Sequence, residues 1–214
     1  MIKRIALLVL GITLASACSA KDDGSVQAAS FTNGNEYVTI QQPKRLSSSG
    51  KVEVVEVFSY GCVHCAHFAP DAEKLRKSLP KGVQFKLLPA SFSPAWEPYA
   101  RAYYAAKQLG VLKQTHLELF KEKFEERYPI NTLDELADFY ARQGVDKAKF
   151  LQAANSKQTD MAIARGNALI RDWGVDGTPT IVVDGKYRSN HIKSYDQLLK
   201  LTHWLVQREL KKGS

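Results

Sequence analysis

The stretch "SYGCVHCAHF", residues 59–68, places two cysteines, Cys62 and Cys65, three positions apart. The residues that lead into it, "VEVVEVFSY" (52–60), point alternately to opposite faces and are rich in β-branched side chains, which is typical of a strand. The residues after it have a helical pattern. Cys62 is therefore expected where a strand ends and a helix begins.

Outward from this stretch, the pattern predicts a helix up to Leu79, kinked at Pro70, and a second strand, "VQFKLLP" (83–89). Nearly all of residues 93–173 then have helical patterns, including a helix over 112–129 that ends at Pro129.

Strands return at "TIVV" (180–183), where Asp184-Gly185 predicts a hairpin turn, and Ser194 caps a last helix. The order of elements predicts an α/β domain formed by residues 36–92 and 174–214. An all-helical domain, 93–173, is inserted into it.

The first residues have the pattern of a bacterial export signal: a basic start, a short apolar run and small residues. We expect a signal peptide over 1–17 and a flexible tether over 18–35. Cleavage after Ala17 would leave Cys18 first and available for lipid attachment, whereas cleavage after Ala20 would remove it. No later segment has the roughly 20 apolar residues of a transmembrane helix.

The chain carries a formal net charge of +8. Its basic residues alternate with acidic ones, as in "KEKFEER" (121–127), which is typical of solvated helix faces and not of nucleic-acid binding.

The position of Cys62 favours redox chemistry. A sulfur at a helix N-terminus meets unpaired backbone NH groups and the positive end of the helix dipole, which favour the thiolate. Cys65 lies nearly one turn further on the same face, within reach of a disulfide. We expect Cys62 to be the attacking sulfur and Cys65 the resolving one, with His64 adding a hydrogen bond or a positive charge.

Other uses of the pair fit less well. Haem attachment needs a histidine directly after the second cysteine, where this chain has Ala66. A zinc site could use the cysteines with His67 and His116, but the chain has no second cysteine pair. A structural disulfide stays open as an alternative, although closing so short a loop stabilises little. No metal or organic cofactor is expected.

Two further features bear on the pair. In "GVDGTPT" (174–180), a cis Thr178–Pro179 bond would put Pro179 beside the sulfurs and let Thr178 present its backbone to a peptide. Glu56 is either a buried proton relay beneath the cysteines or a surface residue, and the pattern leaves both open. The histidines outside the motif, His116 among them, are expected to be ordinary helix or loop residues.

These motifs, together with "EVFSYGCVHCAHF" (56–68) and the closing helix, resemble the DsbA family of bacterial periplasmic thiol:disulfide oxidoreductases. The resemblance implies a thioredoxin-like fold with an inserted helical domain. It implies that His64 tunes the pair, that Glu56 is its buried acid and that Pro179 is a cis-proline. Val63, Thr178 and Pro179 are expected to contact the substrate. Val63 and Thr178 depart from the proline and valine common in the family.

The resemblance implies an enzyme that introduces disulfides into reduced exported proteins in the periplasm and is reoxidised by a DsbB-like membrane protein that reduces quinone. We expect a monomer. A reductase or isomerase is the first alternative; few mature residues precede the first strands, which argues against the isomerases built on an extra N-terminal domain. A non-enzymatic peptide-binding lipoprotein with a structural disulfide is the second.

Overall fold

The fold is taken from a computed structural model, which describes residues 30–212. The predicted signal peptide, Cys18 and most of the predicted tether lie outside these residues. A five-stranded mixed sheet forms the centre, with strands in the order β1-β5-β4-β2-β3. The strands are β1 (Tyr37–Thr39), β2 (Val52–Phe58), β3 (Val83–Pro89), β4 (Thr180–Val183) and β5 (Tyr187–Ser189).

Strand β2 is central because it pairs in parallel with β3 on one side and antiparallel with β4 on the other. Helix α1 (Val63–Ser78) connects β2 to β3 and contains Pro70. The last helix, α7 (Tyr195–Lys212), packs with α1 on one face of the sheet. The strand-helix-strand unit and the closing helix are confirmed.

Between β3 and β4 the chain is helical. A 3-10 turn (Pro94–Trp96) leads into this segment. Its α-helices are α2 (Glu97–Gln108), α3 (Leu112–Phe120), α4 (Leu133–Arg142), α5 (Lys147–Ala154) and α6 (Lys157–Asp172). This is a thioredoxin-like fold with an inserted helical domain. The domain boundaries assigned from sequence stay predictions.

The predicted helix over 112–129 is wrong at its C-terminal end. Helix α3 ends at Phe120 and continues as a π-helical turn, Lys121–Glu125. Arg127 then has a φ of 60°, which stops the helix before Pro129. The wider turn accompanies burial of Glu122, which accepts hydrogen bonds from Arg142 and Gln143 of the next helix.

Local turn chemistry is confirmed in two places. Thr132 and Glu135 form both bonds of a capping box at the start of α4. In the β4–β5 hairpin, Asp184 and Gly185 both have positive φ. Gly185 also has no room for a side chain, since an added Cβ would lie 2.1 Å from the Lys44 carbonyl oxygen.

Candidate redox site

Cys62 is the N-cap residue of α1, in the turn that connects β2 to this helix. It has extended backbone angles and directly precedes the first helical residue, Val63. Its NH donates to the Ser59 carbonyl at 3.1 Å, which closes the turn between strand and helix. Gly61 fits this turn because an added Cβ would lie 2.9 Å from the ring of Tyr99. The inserted domain therefore packs directly against the backbone that carries Cys62.

The two cysteines are present as thiols and both are buried. The Cys62 sulfur lies 3.4 Å from the Thr178 carbonyl oxygen, to which it donates when it is protonated. Thr178 is joined to Pro179 by a cis peptide bond. The cysteine motif and the Thr-Pro segment, which lie far apart in the sequence, thus meet at one sulfur.

The pKa of Cys62 is lowered to about 5. The hydrogen bond from the Cys65 thiol has the largest effect, and burial opposes it. Thr178 and the backbone amides of Cys65 and His64 lower the pKa further, although Cys62 makes no full side-chain capping bond. At neutral pH this sulfur is therefore a thiolate, the form that attacks disulfides and leaves easily.

Cys65 has the opposite character. It is fully buried, and burial raises the pKa of its thiol well above the ordinary value, with the hydrogen bond to the Cys62 sulfur and the charge of that sulfur adding to the effect. In the reduced protein the proton therefore stays on Cys65 while Cys62 carries the charge.

Glu56 is buried beneath the pair, with 3% of its surface exposed. The sequence left its position open. Its Oε2 atom is buried and has no hydrogen-bond partner among residues 30–212. Burial raises the pKa of its carboxyl group to about 8, and the charges of Cys62 and Glu73 act in the same direction. Glu56 is therefore largely protonated at neutral pH.

The Glu56 carboxyl group lines a cavity of about 650 Å³ between the sheet and the inserted domain. Its wall also carries Glu73 and Arg76 from α1 and Lys86 from β3. The cavity therefore brings charged side chains of α1 and β3 to the same space as the buried acid.

His116 lies in helix α3, as expected, and its side chain contacts the end of β2. Its Nδ1 atom is hydrogen-bonded to the Tyr60 hydroxyl at 2.8 Å, and its ring packs edge-on against Phe58. It also lines the cavity that contains Glu56. Burial lowers the pKa of its imidazole to about 4, so the ring is neutral at physiological pH. Its place in α3, far from the cysteine motif in sequence, gave no signal of this contact.

His64 and Val63 are exposed on the first turn of α1. The His64 side chain makes no hydrogen bond with the residues that the structure describes, so its contact with Cys62 is through its backbone amide. Val63 and Phe92 are 39% and 43% exposed, and Phe92 packs on Trp96 with ring centroids 5.7 Å apart. Val63, the residue directly after Cys62, is thus an exposed apolar side chain.

The residues proposed for zinc are not brought together. Within residues 30–212 there is no group of three or more His, Cys, Asp or Glu side chains placed to hold a metal ion. His67 is exposed on α1, whereas His116 is bonded to Tyr60. Over the same residues, no helix is long and apolar enough to cross a membrane.

Comparison with known proteins gives a consistent result. A family model described as thioredoxin matches residues 47–201. The thiol:disulfide interchange protein DsbA of Pseudomonas aeruginosa is 36% identical over 187 residues, which cover 86% of this chain and 89% of that protein. DsbA of Burkholderia cepacia is 33% identical over 188 residues, covering 87% of this chain and 86% of that protein.

Solved structures agree with these relatives. The crystal structure of Pseudomonas aeruginosa DsbA is similar with a TM-score of 0.80 at 36% identity, covering 86% of this chain and 96% of the other. The oxidoreductase DsbA of Xylella fastidiosa has a TM-score of 0.81 at 36% identity, covering 84% of this chain and 98% of the other.

Proposed function

The chain belongs to the DsbA family of thiol:disulfide oxidoreductases, and on that basis we propose that the Cys62–Cys65 disulfide oxidises reduced exported proteins. The difference between the two sulfurs carries the proposal. The pKa of Cys62 is lowered and that of Cys65 is raised, so the pair favours its reduced form and gives up its disulfide readily.

In the first step, a client thiolate attacks the Cys62 sulfur of the oxidised protein. A disulfide forms between the client and Cys62, and the Cys62–Cys65 bond breaks. Cys65 leaves as a thiolate and takes up a proton. We propose that Glu56 supplies it, because its carboxyl group is buried, is protonated at neutral pH and interacts electrostatically with Cys65.

In the second step, another client thiolate attacks the client sulfur of the mixed disulfide. Cys62 leaves as a thiolate, which its low pKa makes a good leaving group. The client has then lost two electrons and gained a disulfide, and the enzyme holds two reduced sulfurs. His64 is proposed to tune the pair, and Val63, Thr178 and Pro179 to contact the client chain.

Oxidative refolding of a reduced client tests the proposal. The wild-type protein, oxidised beforehand, should restore client activity stoichiometrically, whereas Cys62→Ser should not. Cys65→Ser keeps the attacking Cys62 thiol and should trap a mixed disulfide with an oxidised peptide, because the resolving sulfur is missing. Undiminished client oxidation by Cys62→Ser would reject the enzyme in favour of a binding protein with a structural disulfide.

The balance between oxidase and reductase is tested by equilibrating the pair with glutathione. An oxidase should be largely reduced in buffers that leave ordinary structural disulfides intact. A pair that stays oxidised there would indicate a reductase.

We propose that the protein works in the periplasm and is reoxidised by a DsbB-like membrane protein that reduces quinone. The pair should be recovered oxidised from cells that contain such a partner and reduced from cells that lack it. We also propose a lipid anchor on Cys18. Cys18→Ser should move the protein from the membrane fraction to the soluble one, whereas a mature chain beginning after Ala20 would reject the anchor.

A further inference from the structure

We infer that Tyr195 is a positioning residue for the redox pair, acting through the peptide group that joins His64 to Cys65. The inference deepens the proposed function and rests on it for its biological meaning. It starts from one contact: the Tyr195 hydroxyl donates to the His64 carbonyl oxygen at 2.9 Å.

The peptide group between His64 and Cys65 is thereby held at both ends. Its carbonyl accepts from Tyr195, and its NH donates to the Cys62 carbonyl oxygen at 3.1 Å. The Cys65 amide is also among the backbone groups that favour the Cys62 thiolate. A peptide whose carbonyl accepts a hydrogen bond becomes a stronger donor at its NH, by roughly 10–30% per bond. The tyrosine therefore acts on a sulfur that it does not touch.

Tyr195 is itself firmly placed. It is the first residue of α7, whose start is capped by a bond from the Gln197 NH to the Ser194 hydroxyl at 3.1 Å. Its ring packs on Phe68, a fully buried residue of α1, with centroids 5.2 Å apart. Loss of the hydroxyl alone should therefore leave the ring in place.

The groups around Tyr195 keep its hydroxyl a donor. Burial raises the pKa of the phenol, and its electrostatic interactions with Cys65, Cys62 and Asp71 act in the same direction. Among the titratable groups near this contact, Glu56 on β2 and Tyr195 on α7 interact with the cysteine pair, and Asp71 on α1 acts on Tyr195. Of these three, only Tyr195 donates a hydrogen bond to the backbone of the cysteine motif.

The test is a titration of the Cys62 thiolate by its ultraviolet absorbance in the isolated, reduced protein. Tyr195→Phe should raise the Cys62 pKa by roughly 0.3–0.5 unit. The equilibrium with glutathione should shift by the same factor, roughly two- to three-fold, toward the disulfide form of the protein. Incorporation of a monofluorinated tyrosine at position 195, a stronger donor, should shift the pKa the other way.

Tyr104→Phe is the matched control, because the Tyr104 hydroxyl also donates to one backbone carbonyl, that of Ala162 in the inserted domain, at 3.3 Å. It should leave the Cys62 pKa at the wild-type value. An unchanged pKa in Tyr195→Phe, or an equal shift in Tyr104→Phe, would overturn the inference. Neither the thiolate titration nor the glutathione equilibrium uses a client. Failure of the wild-type protein to oxidise clients would therefore reject the proposed function and leave the inference about Tyr195 unaffected.

Discussion

Glu53 and Glu56 lie on the same strand, β2, and are both buried, yet among residues 30–212 only Glu53 is paired with cations. The Lys86 ammonium lies 2.6 Å from the Glu53 carboxylate, and Arg45 and Ser47 also contact it. Burial raises the pKa of Glu53, but the bonds from Lys86 and Ser47 outweigh it and hold the pKa below its ordinary value. Glu56 has no such partner among residues 30–212, and its pKa is raised.

This difference predicts opposite pH dependences for two conservative variants. The pKa of Glu56 is raised from 4.5 to about 8 in the folded protein. Its contribution to folding stability is therefore fully present below pH 4.5, the pKa in the unfolded chain, and is lost as pH rises toward about 8. Glu56→Gln should therefore be more stable than wild type at pH 8, by on the order of 3 kcal/mol, and similar to it at pH 4. Urea unfolding at the two pH values measures this.

Glu53→Gln is the matched variant and should behave in the reverse manner. The pKa of Glu53 is lower in the folded protein than in the unfolded chain. Its carboxylate therefore stabilises the fold at pH values above the unfolded pKa, and this stabilisation is lost as pH falls through the folded pKa. The variant should be less stable than wild type at pH 7, where Lys86 loses its partner, and the gap should close in acid. Parallel pH profiles for the two variants would contradict the assigned protonation of Glu56.

The Cys62 pKa predicts a redox-dependent stability. In the folded, reduced protein the Cys62 pKa of about 5 lies below that of a free thiol. Folding therefore stabilises the thiolate, and the ionised sulfur in turn stabilises the folded state. The reduced protein should resist urea better than the oxidised protein at pH 7. The difference should shrink as pH falls through about 5. Equal midpoints for the two forms at pH 7 would show that the sulfur is not charged.

The buried Thr178 hydroxyl has no hydrogen-bond partner among residues 30–212, although Thr178 lowers the pKa of Cys62. It is free to donate to the sulfur once that sulfur ionises. Thr178→Val should raise the Cys62 pKa and shift the glutathione equilibrium toward the disulfide. Thr180→Val is the control, because the Thr180 hydroxyl donates to the Gly177 carbonyl instead. A thiolate titration of both variants decides whether the hydroxyl acts on the sulfur.

His116 predicts a further pH effect. Its pKa of about 4 lies below that of a free imidazole, so folding disfavours its charged form. As pH falls from about 6.5 toward 4, His116 takes up a proton in the unfolded chain but not in the folded protein, so the free energy of unfolding should decrease. His116→Gln, which cannot ionise, should lose less stability over that interval than wild type does. An identical acid profile for the two proteins would mean that His116 is more solvated than its contacts with Tyr60 and Phe58 indicate.

Features that depend on short-range chemistry could be predicted from the amino-acid sequence alone. The cysteine spacing puts both sulfurs on one face of a helix that begins at Val63, and the capping box at Thr132 and the Asp184-Gly185 turn follow from neighbouring residues. The exception is the π-helical turn after Phe120, where a contact with the next helix changed the helix end.

The surroundings of the polar side chains depend on contacts between elements that are far apart in the sequence. Glu56 became a buried acid because the inserted domain and α1 cover its face of β2, which its alternating neighbours could not reveal. His116 meets Tyr60 across 56 positions of sequence, and Tyr195 meets His64 across 131. A pKa depends on burial and on charges brought from distant elements, so the chemistry of these groups is fixed only once the chain has folded.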